Sequence, residues 1–190
     1  MIEQVSSRIV YENAWMTVRE DEILRAGGKP GIYGVVDKPP SALIVPRQDD
    51  GYWLVEQYRY TVGGRYWEFP QGSLPDRADG EPEQVARHEL AQETGLAAGR
   101  LERIGGFFHA YGLLSQYCNV FLATALSPDP RAAAPDPEES DLVARWFPGT
   151  EVEAMLRDGR IADGATLAAY ALLLLRRSAA ATDPEFARRP

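Results

Sequence analysis

The stretch Gly72-Ser73-Leu74-Pro75-Asp76-Arg77-Ala78-Asp79-Gly80-Glu81-Pro82-Glu83-Gln84-Val85-Ala86-Arg87-His88-Glu89-Leu90-Ala91-Gln92-Glu93-Thr94-Gly95-Leu96 decides how this chain is read. Its first part, Gly72 to Gly80, is a polar loop holding Pro75, Asp76 and Asp79. Pro82 then stands where a first helical residue is tolerated, after Asp79 or Glu81 as a cap. Val85, Ala86, Leu90 and Ala91 form a helical stripe, and Gly95 ends it. On that helix Glu89 and Glu93 lie four residues apart, with Gln92 three from Glu89, so all three share a face. Two carboxylates and an amide carbonyl at this spacing offer hard oxygen donors to one point. Such donors suit Mg²⁺ or Mn²⁺, whose shell is completed by water and substrate phosphate. A Glu-x-x-x-Glu pair alone is usually a solvated helix face. The glycine-bearing loop before it and the Gly-Leu pair after it give this one its weight.

Outward from the segment the period changes. Towards the N-terminus, Arg8 to Tyr11, Met16 to Leu24, Ile32 to Val36, Ala42 to Val45 and Trp53 to Tyr58 are rich in β-branched and aromatic residues and read as strands. Gly27-Gly28, Pro39-Pro40, Asp49-Asp50-Gly51 and Gly63-Gly64 separate them as turns. Towards the C-terminus, Leu101 to Phe108, Cys118 to Leu126 and Leu142 to Phe147 read as strands and Ser127 to Pro137 as a loop. Glu151 to Arg157 and Ala165 to Arg177 read as helices, and Ala179 to Pro190 as a frayed tail. Strands, one central helix, more strands and terminal helices predict an α+β fold, or a sandwich with a mixed sheet between helices. Three segments follow: 1–40 as a small sheet with an edge open to a second subunit, 41–178 as the main domain, and 179–190 as a flexible tail.

Composition narrows the function. The chain has 190 residues, 20 basic and 28 acidic, for a formal charge of −8. A net-acidic surface argues against non-specific nucleic-acid binding, and no polybasic run would hold the chain on an anionic membrane. Acidic proteins handle anionic substrates when metal ions bring positive charge to the site. One cysteine, Cys118, and two histidines, His88 and His109, exclude a disulfide framework, a cysteine zinc site and a multi-histidine cage. Cys118 reads as a strand-core residue and His109 as a loop residue. The opening Met1-Ile2-Glu3-Gln4 has no basic start and no apolar run after it, so no secretory leader is expected and the expected compartment is the cytoplasm.

The quoted segment resembles the signature of the Nudix hydrolases, G-x5-E-x7-R-E-U-x-E-E-x-G-U with U aliphatic. Gly72, Glu81, Glu89, Leu90, Glu93, Gly95 and Leu96 match seven of its nine fixed types. His88 stands in place of the arginine, Gln92 in place of the first paired glutamate, and the spacings on either side of Glu81 are eight and six residues instead of five and seven. The resemblance extends to Val55-Glu56-Gln57-Tyr58-Arg59-Tyr60, Trp67-Glu68-Phe69-Pro70-Gln71-Gly72, Val10 to Trp15 and Leu156 to Leu167, which are similar to the ADP-ribose and nucleoside-diphosphate-sugar pyrophosphatases. Phe69-Pro70-Gln71-Gly72 and Tyr111 are closer to the dinucleoside-polyphosphate group.

The resemblance implies a Nudix α/β/α sandwich with an N-terminal antiparallel sheet, a homodimer joined through that sheet, and Mg²⁺ or Mn²⁺ as cofactor. It implies hydrolysis of the diphosphate of a nucleoside diphosphate sugar to a nucleoside monophosphate and a sugar phosphate. Metal would be held by Glu89, Glu93, the weaker Gln92 and the backbone carbonyl of Gln71. The general base would be Glu138 or Glu139, or Glu93 itself. Arg59 and Arg65 would meet phosphate, Trp15 (and less so Trp67) would stack on a base, and Glu68 and Tyr111 would touch substrate. A dinucleoside-polyphosphate hydrolase and a non-catalytic nucleotide-binding module are the alternatives.

Overall fold

Ser41-Ala42-Leu43-Ile44-Val45-Pro46 is apolar on both faces, and the fold explains why. In the computed structural model, which describes residues 1–73, 80–130 and 141–182 with side chains as far as 178, this run is strand β4 (Ser41–Gln48) and sits inside a seven-stranded sheet. A strand covered on both faces needs no polar alternation. Leu43 and Val45 point to one apolar layer, Ala42 and Ile44 to the other.

The sheet runs in the order β10 (Val143–Pro148), β5 (Gly51–Arg59), β4, β9 (Tyr117–Pro128), β8 (Leu96–Phe108), with β6 (Gly64–Glu68) on β5 and the two-residue β7 (Gln71–Gly72) on β4. The β4–β9 pair is parallel, with Leu43 opposite Val120 and Ile44 opposite Phe121; the other pairs are antiparallel. The sheet is therefore mixed, as the element order predicts. Helix α1 (Pro82–Thr94) covers one face, packing Val85, Ala86 and Leu90 on Ala42, Ile44, Phe121 and Ala123. Helices α2 (Gly149–Asp158) and α3 (Gly164–Thr182) cover the other, packing Val152, Met155, Ala169 and Leu173 on Leu43, Leu54, Cys118 and Val120. Cys118 is a core residue, and burial pushes its thiol up to about 11.

Strands β1 (Glu3–Glu12), β2 (Thr17–Arg25) and β3 (Lys29–Asp37) form a separate antiparallel sheet in that order. It meets the main body at the turn before β9. Val36 N–H donates to the Leu113 carbonyl (2.9 Å), Ser115 N–H to the Val36 carbonyl (3.0 Å), and the Tyr33 hydroxyl to the Gly112 carbonyl (2.8 Å).

Several boundaries differ from the sequence reading, among them the start of β1 at Glu3, five residues before the expected Arg8. β8 begins at Leu96, five residues before the expected Leu101, because Ala97 and Ala98 pair with Ser127 and Leu126 despite weak intrinsic strand preference. The same pairing keeps Ser127 and Pro128 in β9, out of the expected loop. α3 runs through Ala179-Ala180-Ala181 to Thr182, where a frayed tail was expected; alanine is the best helix former. Among the described residues no helix is long and apolar enough to cross a membrane.

Candidate active site

The helix α1 starts and stops where its sequence dictates. Glu81 is extended at the N-cap, Pro82 opens the helix, and Gly95 closes it with φ 69° while its N–H returns to the Ala91 carbonyl (2.9 Å). Its apolar stripe locks onto β4, and that fixes the rotation of the helix. Glu89 and Glu93 consequently point at β7, both buried, at 5% and 4% exposure. The Gln71 N–H donates to Glu93 Oε2 at 3.0 Å. A Cβ built on Gly72 would lie 2.5–2.8 Å from the Glu89 carboxylate atoms, so only glycine lets this carboxylate rest on the backbone. Gln92 is half-buried on the same helix.

The structure thus brings together Glu89, Glu93 and the backbone at Gln71 and Gly72. These donors fit a hard cation. Two carboxylates are gathered out of water on a shelf that a Cβ would fill, and carboxylate oxygens are the hard donors such a cation takes. Among the described residues no three His, Cys, Asp or Glu side chains converge on one point. A cation here would complete its shell from backbone carbonyl, water and substrate, the usual arrangement for Mg²⁺.

Gln71 and Gly72 also line a cleft of about 570 Å³, together with Lys38, Ser41, Arg59, Glu68, His109 and Asp163. Glu68 is buried at 3% exposure and is tied by Arg59 Nη2, by Gln57 Nε2 (3.2 Å) and by Gln71 Nε2 (3.2 Å). Burial raises the Glu68 pKa, with the Arg59 guanidinium opposing the rise. The second Gln71 amide hydrogen goes to Asp163 Oδ2 at 2.9 Å. His109 shares a hydrogen bond with Ser41 Oγ at 3.1 Å and stands edge-on to Phe107. Enclosure in the cleft lowers the His109 pKa; Asp163 pulls it up and Lys38 adds to the fall.

Other residues singled out in the sequence lie elsewhere. Arg65 is outside the cleft lining, held by Glu56 (Nε to Oε2, 2.9 Å) and by Asp141 (Nη1 to Oδ2, 2.5 Å; Nη2 to the carbonyl, 2.8 Å). That pair holds Asp141 below the usual carboxylate range. Trp15 is 59% exposed in the β1–β2 turn, and Tyr111 is 87% exposed in the turn before β9. Trp67 packs on the core, edge-on to Phe147 at 4.7 Å. Glu138 and Glu139 lie outside the described residues. Lys38, Ser41, His109 and Asp163 were not legible as site residues. They come from three separate places in the chain, 38–41, 109 and 163, and only Asp163 falls in a stretch, Leu156 to Leu167, that the family resemblance covers.

Comparison with known proteins decides the family. Residues 37–170 match the NUDIX domain, and residues 2–36 match the nucleoside diphosphate sugar hydrolase N-terminal domain. The chain belongs to the Nudix hydrolases. It is 32% identical over 167 residues to an ADP-ribose pyrophosphatase of Mycobacterium tuberculosis, covering 87% of this chain and 80% of that protein. It is 31% identical over 124 residues to an ADP-ribose pyrophosphatase of Bacillus subtilis, covering 65% and 66%. A crystal structure described as an ADP compounds hydrolase shares the fold, with a TM-score of 0.79 over 95% of both chains at 21% identity.

Proposed function

We propose that this Nudix hydrolase cleaves the diphosphate linkage of ADP-ribose or a related nucleoside diphosphate sugar, with Mg²⁺ or Mn²⁺, giving a nucleoside monophosphate and a sugar phosphate. The observation that carries the reading is the buried pair Glu89 and Glu93 against the Gln71–Gly72 backbone, beside a cleft large enough for a nucleotide. The two ADP-ribose pyrophosphatases that the chain resembles support the substrate class.

Glu89 and Glu93 would hold the cation, with the Gln71 carbonyl and Gln92 as further donors. When bound, the cation supplies charge neutralisation at the phosphate oxygens and a more acidic water. Glu93, Glu138 or Glu139 would accept the proton of the attacking water. Arg59 lines the cleft and keeps donors beyond the one it gives Glu68, so it can meet a phosphate oxygen while Glu68 orients it. Because Glu68 is itself buried and paired, its part is to fix Arg59 and Gln71.

The reading includes a homodimer joined through the N-terminal sheet. β1 is exposed along its whole length, with Ile9 at 62%, Val5 at 57% and Tyr11 at 53%. Apolar side chains on an outer strand invite a second copy.

The dinucleoside-polyphosphate alternative rests on Phe69-Pro70-Gln71-Gly72 and Tyr111. The Gln71 side chain bridges Glu68 and Asp163, and Tyr111 projects into solvent away from the cleft lining.

A substrate panel with Mg²⁺ or Mn²⁺, read by product mass, tests the proposal. Turnover of ADP-ribose or another sugar nucleotide is expected, with Glu93→Gln slower by about 10²-fold or more, the scale for losing one preorganised electrostatic partner. No turnover of any sugar nucleotide by the wild type would overturn it.

A further inference from the structure

The turn 69–71, which delivers Gln71 to Glu93, is held from behind by the first turn of α3. Asp163 caps that helix: its Oδ2 accepts the Thr166 N–H at 2.7 Å. The Thr166 hydroxyl donates to the same oxygen at 2.8 Å and accepts the Phe69 N–H at 3.0 Å. Gln71 Nε2 reaches Asp163 Oδ2 as well, at 2.9 Å. Thr166 is fully buried at 0% exposure, as is Phe69.

The chemistry of this ring allows one arrangement. The Gln71 amide faces two carboxylates, so its NH₂ must point at them, one hydrogen to each; a carboxylate in its place would set three acids together. The Thr166 hydroxyl has one hydrogen, given to Asp163, and its lone pair serves Phe69. A hydroxyl on a helix ordinarily bonds back to its own preceding turn. Here it also accepts from Phe69, in the turn between β6 and β7, 97 residues away in sequence. Two residues at the start of α3 therefore fix both ends of a three-residue turn. The backbone N–H at the far end of that turn touches Glu93, itself 4% exposed.

We propose that Asp163 and Thr166 are positioning residues for the hydrolysis, holding residues 69–71 at the place where Gln71 meets Glu93. This rests on the catalytic reading above. Neither residue needs to touch the reacting atoms. Their effect passes through Phe69 and Gln71, so removing them shifts the Gln71 backbone relative to Glu93 while leaving the rest of the cleft in place.

Thr166→Val keeps the shape and removes the hydroxyl. Gln71→Met, at a half-buried position, cuts the other link and folds even if Thr166→Val does not. For each, kcat is expected to fall about tenfold with KM within about twofold, the signature of a small misplacement of catalytic groups. Backbone amide exchange at Gln71 is expected to quicken about tenfold without substrate, as a local loosening below the global stability. Thr166→Ser, which keeps the hydroxyl, is expected to return kcat to within about threefold of wild type, and the double variant to lose no more than the worse single one. Wild-type kcat in a folded Thr166→Val or in Gln71→Met overturns the proposal, as does unchanged Gln71 exchange. An inactive wild type would refute the substrate reading instead, and the exchange measurement would still decide this one.

Discussion

Strands β1 and β4 are ten and eight residues long, and they live in opposite surroundings. Every residue of β1 is exposed, whereas the first six of β4 are buried. β4 has a helical layer on each face and a strand on each side, so its apolar run needs no polar interruption. β1 is an edge strand on a three-stranded sheet with no layer over it among the described residues, yet it carries Val5, Ile9, Val10 and Tyr11. The main sheet is finished within one chain; the N-terminal sheet leaves apolar surface that one chain does not cover. The buried pair Glu89 and Glu93 belongs to the finished part, and the cleft opens where the two parts meet, at Lys38, Ser41 and His109.

The contrast is broken most sharply by removing the same kind of group from each part. Leu54 is fully buried, and Leu54→Ala is expected to cost about 3–5 kcal/mol of unfolding free energy, the range for emptying a core site. Ile9→Ala is expected to change dilute-solution stability by no more than about 0.5 kcal/mol, as exposed sites do. Urea unfolding at several protein concentrations separates them further. The Ile9 effect should grow with concentration as association sets in, while the Leu54 effect should not. Equal losses at high dilution would show that one chain already covers β1.

Glycine to alanine sharpens the same comparison inside the site. Gly72→Ala drives a Cβ into the Glu89 carboxylate, and a loss of about 10²-fold in kcat/KM is expected, equivalent to about 2.7 kcal/mol. Gly34 in β3 has no heavy atom within 4 Å of the same added carbon. Gly34→Ala should leave kcat/KM within about twofold and unfolding within about 0.5 kcal/mol. Steady-state kinetics on both variants decide it: full activity in Gly72→Ala would mean that Glu89 need not sit on this backbone.

What was legible in the sequence was what local rules specify. Pro82 and Gly95 bracket α1, the stripe Val85, Ala86 and Leu90 sets its buried face, and that face carries Glu89 and Glu93 to β7. The strands of the first half are legible because their side chains are β-branched and their turns are marked by glycine and proline. What was hidden depends on partners far along the chain. Arg65 reads as a phosphate contact until Asp141, 76 residues on, takes its guanidinium. Gln71 reads as a substrate-group signature until Asp163, 92 residues on, takes its amide. Lys38, Ser41 and His109 carry no local pattern at all, since the pairing of β4 and β8 with β9 and the docking of β3 against the turn before β9 bring them to one cleft.

A charge on the outer sheet tests the proposed dimer directly. Ile9→Asp combined with Ile32→Asp, both residues 62% exposed, is expected to weaken association about 10–100-fold, by sedimentation equilibrium. Dimers of unchanged strength would place the contact elsewhere.

The smallest effect is expected at the junction itself. His109 lines the cleft with Asp163 and Lys38, and partial desolvation there lowers its pKa below the ordinary value of about 6.5. The sign follows from proton counting. Just below that value the unfolded chain binds more protons at this site than the folded one, so stability rises with pH there. The contribution of the neutral imidazole is complete above the unfolded value and is lost as the pH falls through the folded one. A proton titration of the His109 ring by NMR should give a midpoint under about 6.5. Lys38→Met should move it up and Asp163→Asn should move it down, since the ammonium opposes the imidazolium and the carboxylate favours it. If neither substitution moves the midpoint, His109 does not feel the cleft's charges. The ring would then lie far enough from Lys38 and Asp163 for water to screen both.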